Sequence, residues 1–374
     1  MARSLAYSPQ NALNAICPYF TMFPLEYPIR VLRKYKPSKA VVADPFCGRG
    51  TTLFAARSLG LSSFGVDSSP VAVAIAQAKL CQVDLESVLL LAGTLISNET
   101  VTDVPDNDFF RSAFHPDVLQ KVCAIRQGLL NIHQHTDASV LLRAAMLGCL
   151  HGPLSKTPGN QSYFSNQMPR TFASKPEYSV KYWIARELQA PNMDVLQVLR
   201  RKISRIPVPE VKPGISFENV ILGDSRHENS LPVGALNFSA VVTSPPYYGM
   251  RTYVEDQWLR NWFLGGPDYV AYGNPEQLQH TGKAVFAESL GEVWHNMARS
   301  TASDLHMYVR FGIIPSASVN AKDLMLSSLE SSAIGWRVVS VRAADTANAG
   351  KRQASQMAAK SDAAVEYDFH VVRK

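Results

Sequence analysis

Two short constellations in this sequence combine residue types and spacing that suit chemistry. The first is Asp44-Pro45-Phe46-Cys47-Gly48-Arg49-Gly50-Thr51-Thr52, which follows the apolar run Ala40-Val41-Val42-Ala43. Glycines two apart let the backbone turn sharply and approach a ligand without Cβ clashes. A helix opening at Thr51 would add free N–H groups at its N-terminus. Asp67 ends the next apolar run, Ser63-Phe64-Gly65-Val66, where an acid can accept hydrogen bonds from a ribose diol. A phosphate-cradling loop needs a lysine after its second glycine, and Thr51 stands there instead; the dinucleotide fingerprint lacks its third glycine. An adenosyl ligand without a phosphate, such as S-adenosylmethionine, fits what remains. A tight turn with no ligand is the alternative.

The second constellation is Thr243-Ser244-Pro245-Pro246-Tyr247, again at the end of an apolar run. Two consecutive prolines cannot donate to a sheet ladder, so the strand must stop there. Their rigidity holds a hydroxyl, a carbonyl and the Tyr247 ring as one group. Such a group suits a planar exocyclic amine, with two acceptors for its hydrogens and a ring to stack on its heterocycle. A base amine is a poor nucleophile because its lone pair is delocalised; acceptors that pull it toward tetrahedral geometry restore that pair for attack on a sulfonium methyl. Stacking adds roughly 1–3 kcal/mol per base. A Pro-Pro loop terminator is the plain alternative.

The elements that must position these groups follow from pattern. Strand, glycine turn, helix (Thr51 to Leu59, closed by Gly60), strand, acid and a helix opened by Pro70 make the start of a doubly wound α/β sheet. A short helix is expected near Tyr27–Tyr35. From Leu85 to Arg205 the texture changes: 117–150 is helical by spacing, 152–178 reads as an exposed polar loop, and helices near Val180–Glu187 and Met193–Ile203 follow. Strand patterns return at 219–224 and 240–247, then at 305–309 after a helix near 287–300. Trp336–Val341 and Tyr367–Val372 read as hairpin partners. No repeat is evident.

Composition bounds the reading without deciding it. The 374 residues carry Lys+Arg 37 against Asp+Glu 31, a net +6, which is compatible with a polyanionic partner but only mildly so. At 46% hydrophobic and 18% charged the chain can bury a sizeable core and is not disordered. No apolar stretch is long enough to span a bilayer, and the N-terminus lacks a signal-peptide pattern. The five cysteines, 17, 47, 81, 123 and 149, are widely spaced without a C-x-x-C pair and read as reduced thiols. His133 and His135 fall on different helix faces with no completing ligand, so no metal is expected; His306 reads as a satisfied core residue.

Together the two motifs resemble the cofactor and catalytic motifs of the S-adenosylmethionine-dependent DNA amino-methyltransferases, the cytosine-N4 and adenine-N6 family of restriction-modification type. Pro18-Tyr19-Phe20-Thr21-Met22-Phe23-Pro24 is similar to the family segment near the methionine end of the cofactor, and Gly223-Asp224-Ser225 to the strand-end acid near the adenine. The resemblance spans about 1–80 and 215–374. It implies an α/β fold, a Rossmann-like class I methyltransferase sheet with a largely helical insertion. The expected division is 1–84 and 206–374 as two parts of the catalytic domain, with 85–205 as the insertion. It further implies S-adenosyl-L-methionine held by Tyr19, Thr21, Asp44, Phe46, Gly48, Gly50, Thr51, Asp67 and Asp224. Ser244, Pro245, Pro246 and Tyr247 become the catalytic group, acting on a base flipped from duplex DNA. The serine form of the motif is found more often among enzymes acting on N4 of cytosine. A cytoplasmic bacterial or phage modification enzyme follows, one that can be paired with a separately encoded nuclease. Other readings stay open: adenine N6, a guanine of RNA, a protein glutamine, or a catalytically silent DNA-binding member.

The insertion departs from the family's common layouts, which place the recognition region after the Gly223-Asp224 segment or at a chain end. Its stretch of Lys156, Asn160, Gln161, Tyr163, Asn166, Gln167, Arg170, Lys175, Tyr178, Lys181 and Tyr182 mixes cations, amides and aromatics that can meet phosphates, base edges and base faces. A solvated loop is the alternative. The expected DNA contacts are Lys156, Arg170 and Lys175, with Tyr248 and Arg251 after the catalytic motif and Lys351 and Arg352 near the C-terminus. Tyr253 and Trp258 also lie where a flipped base would enter, although core packing is the preferred reading for Trp258 and Trp262.

Overall fold

The apolar runs read as strands all enter one sheet. A computed structural model describes residues 9–19, 24–36, 40–98, 100–157, 159–206, 212–231, 237–249, 255–272, 278, 282–301, 305–313, 319–344 and 366–373. Its strands are β1 (Val41–Asp44), β2 (Ser62–Asp67), β3 (Glu218–Leu222), β4 (Phe238–Thr243), β5 (His306–Gly312), β6 (Trp336–Ala343) and β7 (Glu366–Arg373). They lie in the order β3-β2-β1-β4-β5-β7-β6. The first five are parallel, and β7 runs antiparallel to both β5 and β6. This is the Rossmann-like class I methyltransferase sheet. The chain winds outward from β1 through β2 to β3, then returns to place β4 on the other side of β1. Ligands of open α/β sheets bind at such a reversal, beyond the strands' carboxyl ends.

Alternation along the strands sorts the core onto two faces. Val241, Met307, Val309 and Phe64 join Phe286, Leu290, Trp294 and Met297 of the helix Lys283–Arg299 and Leu324 and Met325 of the helix Ala321–Ser331. Val42, Val242 and Tyr308 face the other way, onto Tyr27 and Leu32 of the helix Glu26–Leu32 and Ala55 and Ala56 of the helix Thr51–Ser58.

The chain divides into two compact units. The sheet unit comprises Thr21–Ala76, Val211–Thr252 and Asn274–Lys374; the helical unit comprises Met1–Phe20, Gln77–Glu210 and Tyr253–Gly273. In the helical unit the periodic stretch 117–150 is two helices, Pro116–Asn131 and Asp137–Cys149. The break has a local cause: Ile132 is extended, and the Thr136 hydroxyl accepts from the Ser139 N–H at 3.3 Å as an N-cap.

The segment 152–178, expected as an exposed loop, is anchored. Phe164, Ser165, Asn166 and Met168 are buried. Arg260, fully buried, donates to the carbonyls of Leu147, Arg170 and Thr171 at 3.1, 2.9 and 3.2 Å. Trp183 Nε1 donates to the Gln167 carbonyl at 2.7 Å and Trp258 Nε1 to that of Ser174 at 3.2 Å. Irregular backbone exposes carbonyls that need donors when buried, and here the donors come from side chains distant in sequence. Trp258 and Trp262 are core residues, each 2% exposed. Among the described residues no helix is long and apolar enough to cross a membrane.

Candidate active site at the ends of two adjacent strands

β1 and β4 pair in parallel, Ala43 beside Val241, so their carboxyl ends lie side by side. Asp44 is the last residue of β1 and Thr243 the last of β4. The Thr243 hydroxyl donates to Asp44 Oδ1 at 2.6 Å, and the Phe46 N–H reaches the same oxygen at 3.2 Å. At the second residue of the helix Thr51–Ser58, Thr52 Oγ1 donates to the Val242 carbonyl at 3.0 Å. The two sequence motifs are thus bonded to each other at their bases.

The glycine turn is stitched to β2. Gly48 N–H donates to Asp67 Oδ2 at 2.8 Å, and Ser69 N–H to Asp67 Oδ1 at 2.9 Å. Gly48 and Gly50 have φ of 49° and 73°, the left-handed region that glycine alone enters freely. They differ in what surrounds them. A Cβ on Gly50 would stand 2.8 Å from Ala76 Cβ, whereas one on Gly48 would meet nothing within 4 Å. Gly50 therefore serves helix packing, and Gly48 borders open space.

The fit to an adenosyl-sulfonium cofactor rests on two features of this turn. Asp44 Oδ2 is buried without a hydrogen-bond partner, the place a cationic group would satisfy. The space over Gly48 leaves bare backbone for an apolar or ribose surface to lie against. Burial drives the Asp44 carboxyl up to about 7, with hydrogen bonds from Thr243 and Phe46 opposing and the Asp67 charge adding. Burial also raises Asp67, against the two backbone donors.

The remaining expected residues are distributed unevenly. Phe46 is half-buried, edge-on to Trp294 at 6.2 Å, and Thr51 is buried at the helix start. Ser225 Oγ donates to the Pro45 carbonyl at 2.6 Å, drawing the Gly223-Asp224-Ser225 segment to the turn. Both Asp224 oxygens accept from Arg226, Nε at 3.0 and 2.9 Å, which fixes the carboxylate and leaves it further acceptor sites. Ser244, Pro246 and Tyr247 are half-buried and Pro245 is buried. Tyr247 donates its hydroxyl to Glu366, the first residue of β7. Glu366 carried no sequence signal, being adjacent only through the antiparallel return. Burial and the nearby Asp368 charge raise its carboxyl to about 7.

Tyr248, expected against DNA, packs edge-on to Phe286 at 5.2 Å and bridges to Ile313. Its position next to a strand-like bridge turns it onto the core. Tyr19 is half-buried in the helical unit, and Thr21, Arg251, Tyr253, Lys351 and Arg352 lie outside the described residues. Lys156, Arg170 and Lys175 are exposed. The amides of the same stretch are occupied internally: Asn166 Nδ2 binds the carbonyls of Ser112 and Leu188, Gln167 Oε1 accepts from Leu154 N–H, and Gln161 Oε1 from Ser155 N–H. They hold the loop's shape. His306, expected in the core, is half-buried with Nδ1 2.9 Å from His370 Nε2. Among the described residues no group of His, Cys, Asp and Glu could hold a metal ion.

Residues 3–78 match the family model described as a DNA methylase of the N6/N4 type. No curated protein matches the chain. Solved structures that superpose on it include the rRNA methyltransferase aviRa from Streptomyces viridochromogenes, 12% identical, covering 99% of this chain and 95% of that one with a TM-score of 0.33. A geranyl diphosphate methyltransferase is 9% identical over 93% and 77%, TM-score 0.36. A 16S rRNA (adenine(1408)-N(1))-methyltransferase from Catenulisporales acidiphilia is 10% identical over 96% and 96%, TM-score 0.31. At such loose superposition none of them bears on substrate. The family match over the cofactor-side segment agrees with the resemblance drawn from the motifs. With the sheet order, it marks the chain as a methyltransferase whose methyl donor is S-adenosylmethionine.

Proposed function

We propose that this chain methylates an exocyclic base amine of DNA, N4 of cytosine in duplex DNA, on a base flipped out of the stack. The observation that carries this reading is the Thr243–Asp44 hydrogen bond of 2.6 Å, which ties the amine-orienting motif to the cofactor-side acid. S-adenosylmethionine supplies the electrophile, a methyl group on a sulfonium. Asp44, Phe46, Gly48, Gly50, Thr51 and Asp67 are the residues of the sheet unit that would hold it, with Asp224 on the adenine side.

Ser244 Oγ and the Pro245 carbonyl accept the two amine hydrogens and turn the lone pair toward the methyl. Tyr247 stacks on the base, and Glu366 fixes its ring. Preorganised acceptors of this kind act without reorganisation as charge develops. Extrusion of the base costs a few kcal/mol, which stacking on Tyr247 offsets in part.

Ser244→Ala should abolish most methyl transfer while leaving cofactor affinity within about twofold, because the hydroxyl faces the amine. Equal loss of both would sink the role. Labelled S-adenosylmethionine with mixed-sequence duplex DNA, followed by nucleoside analysis, identifies the base. N4-methylcytosine is the expected product; N6-methyladenine would keep the mechanism and correct the base. No label in DNA, with cofactor bound, would overturn the DNA substrate.

A further inference from the structure

The helical unit carries a surface that the transfer chemistry does not use. Tyr178, Tyr269 and Tyr272 are 65%, 63% and 68% exposed, and all three belong to this unit. Tyr178 and Tyr182 lie one turn apart on the helix Pro176–Ile184, their rings stacked with centroids 6.4 Å apart and 27° between planes. A further turn along the chain, the Arg186 guanidinium sits 4.0 Å from the Tyr182 centroid. A spacing of four puts Tyr178 and Tyr182 on one stripe, and the turn that follows the helix brings Arg186 over Tyr182. Lys175, at the N-cap of the same helix, holds its ammonium 5.5 Å from the Tyr272 ring. Exposed rings and cations are thus paired at both ends of this helix, and one of the rings comes from a segment distant in sequence.

An exposed tyrosine offers a ring face that another planar group can cover while its hydroxyl stays in water. Rings set beside cations suit the bases and phosphates of a nucleic-acid strand. A duplex offers only phosphates and groove edges to such a surface, because its base faces are already stacked on one another. Base faces become available when a strand is unpaired. We infer that this end of the helical unit binds unpaired nucleotides of the DNA substrate, bases on the exposed rings of Tyr178 and Tyr272 and phosphates on Lys175 and Arg186, with Tyr182 backing Tyr178. The inference rests on the reading of the chain as a DNA methyltransferase and extends it: the strand is opened beyond the reacting base.

The test uses the full chain with a labelled 20-nucleotide oligodeoxynucleotide, single-stranded or annealed to its complement, and the same sequence as single-stranded RNA, read by fluorescence anisotropy. The wild type should bind the single strand more tightly than the duplex. The double variant Y178A/Y272A should weaken single-strand binding at least about 30-fold, about fivefold or more for each of the two lost base–aromatic stacks. Y178F/Y272F, which keeps the rings, should bind as the wild type does. Circular dichroism and cofactor titration check that each variant is folded.

Undiminished single-strand binding by Y178A/Y272A would overturn the inference, as would equal losses on single strand and duplex. Tighter wild-type binding of RNA than of DNA would overturn the DNA occupant. The two readings fail separately. Ring-dependent binding of single-stranded DNA by a protein that methylates no DNA would refute the activity and keep the surface as a nucleic-acid site. DNA methylation with ring-independent binding would refute the surface alone.

Discussion

Asp44 sets stability against cofactor binding, and the replacement Asp44→Asn separates the two. Burial raises the folded-state carboxyl from 3.8 to about 7. Between these values the folded chain keeps a proton that the unfolded chain releases, so stability falls as pH rises from about 4 to about 7 and is flat above. Each tenfold difference in proton affinity between the two states corresponds to about 1.4 kcal/mol. The whole effect is then on the order of 4 kcal/mol, and the part between pH 5 and pH 8 roughly 2–3 kcal/mol. Asparagine keeps an oxygen for the Thr243 hydroxyl and the Phe46 N–H but does not titrate. Urea denaturation of both proteins at pH 5 and pH 8 should therefore show the wild type losing roughly 2–3 kcal/mol more than the variant across that interval.

Cofactor binding should move the other way. A cationic ligand beside Asp44 Oδ2 favours the ionised carboxyl, so binding below pH 7 releases a proton and tightens by up to about tenfold per pH unit. The variant should bind weakly with no such pH slope. Calorimetry in two buffers of different ionisation enthalpy counts the proton. Parallel stability profiles for the two proteins would show that Asp44 does not titrate on folding, and wild-type binding without proton release near pH 6 would show that no cation meets Asp44 Oδ2.

Other outcomes follow from the same site. Gly50→Ala meets Ala76 at 2.8 Å as well as backbone strain, whereas Gly48→Ala adds strain alone. Thermal melts should show Gly48→Ala costing about 1–2 kcal/mol and Gly50→Ala clearly more, with cofactor affinity lowered by the milder variant. Glu366→Leu removes the Tyr247 hydroxyl's acceptor and should lower kcat/KM about tenfold without changing the cofactor Kd, while Glu366→Gln stays within about threefold. Because burial raises the Glu366 carboxyl to about 7, its charged form opposes folding above that pH, and Glu366→Leu should melt no lower than wild type at pH 8. A lower melting point there would show that the residue is structural.

Much of the site was legible because it sits where local signals are strong. The run Val41-Val42-Ala43 into Asp44, the glycine pair and the double proline each limit the backbone within a few residues, and they mark the ends of β1 and β4. The strands 336–343 and 366–373 were also readable, since alternating apolar residues announce them. What escaped depends on contacts between distant positions. Nothing near Glu366 announces Tyr247, and nothing in 152–178 announces Arg260, whose guanidinium organises that segment. The amides Gln161, Asn166 and Gln167 look like surface readers in composition; only their partners reveal them as struts. The helices Leu85–Asn98 and Ala321–Ser331 were not singled out, the first because its apolar residues crowd together without a clean stripe.

The order of strands also has a consequence for how the chain is made. β1 needs neighbours on both sides, yet β2 follows it at once while β4 begins only at Phe238. At ribosomal rates of about 5–20 residues per second, the interval from Asp44 to Phe238 lasts roughly 10–40 seconds. During it, β1 presents an apolar edge with unpaired N–H and C=O groups, the kind of template on which chains aggregate. Non-local parallel pairing is slow even once its partner exists. The nascent chain should therefore depend on holding factors for about half of its synthesis, and the helical insertion lengthens that exposure with every residue it adds before β4.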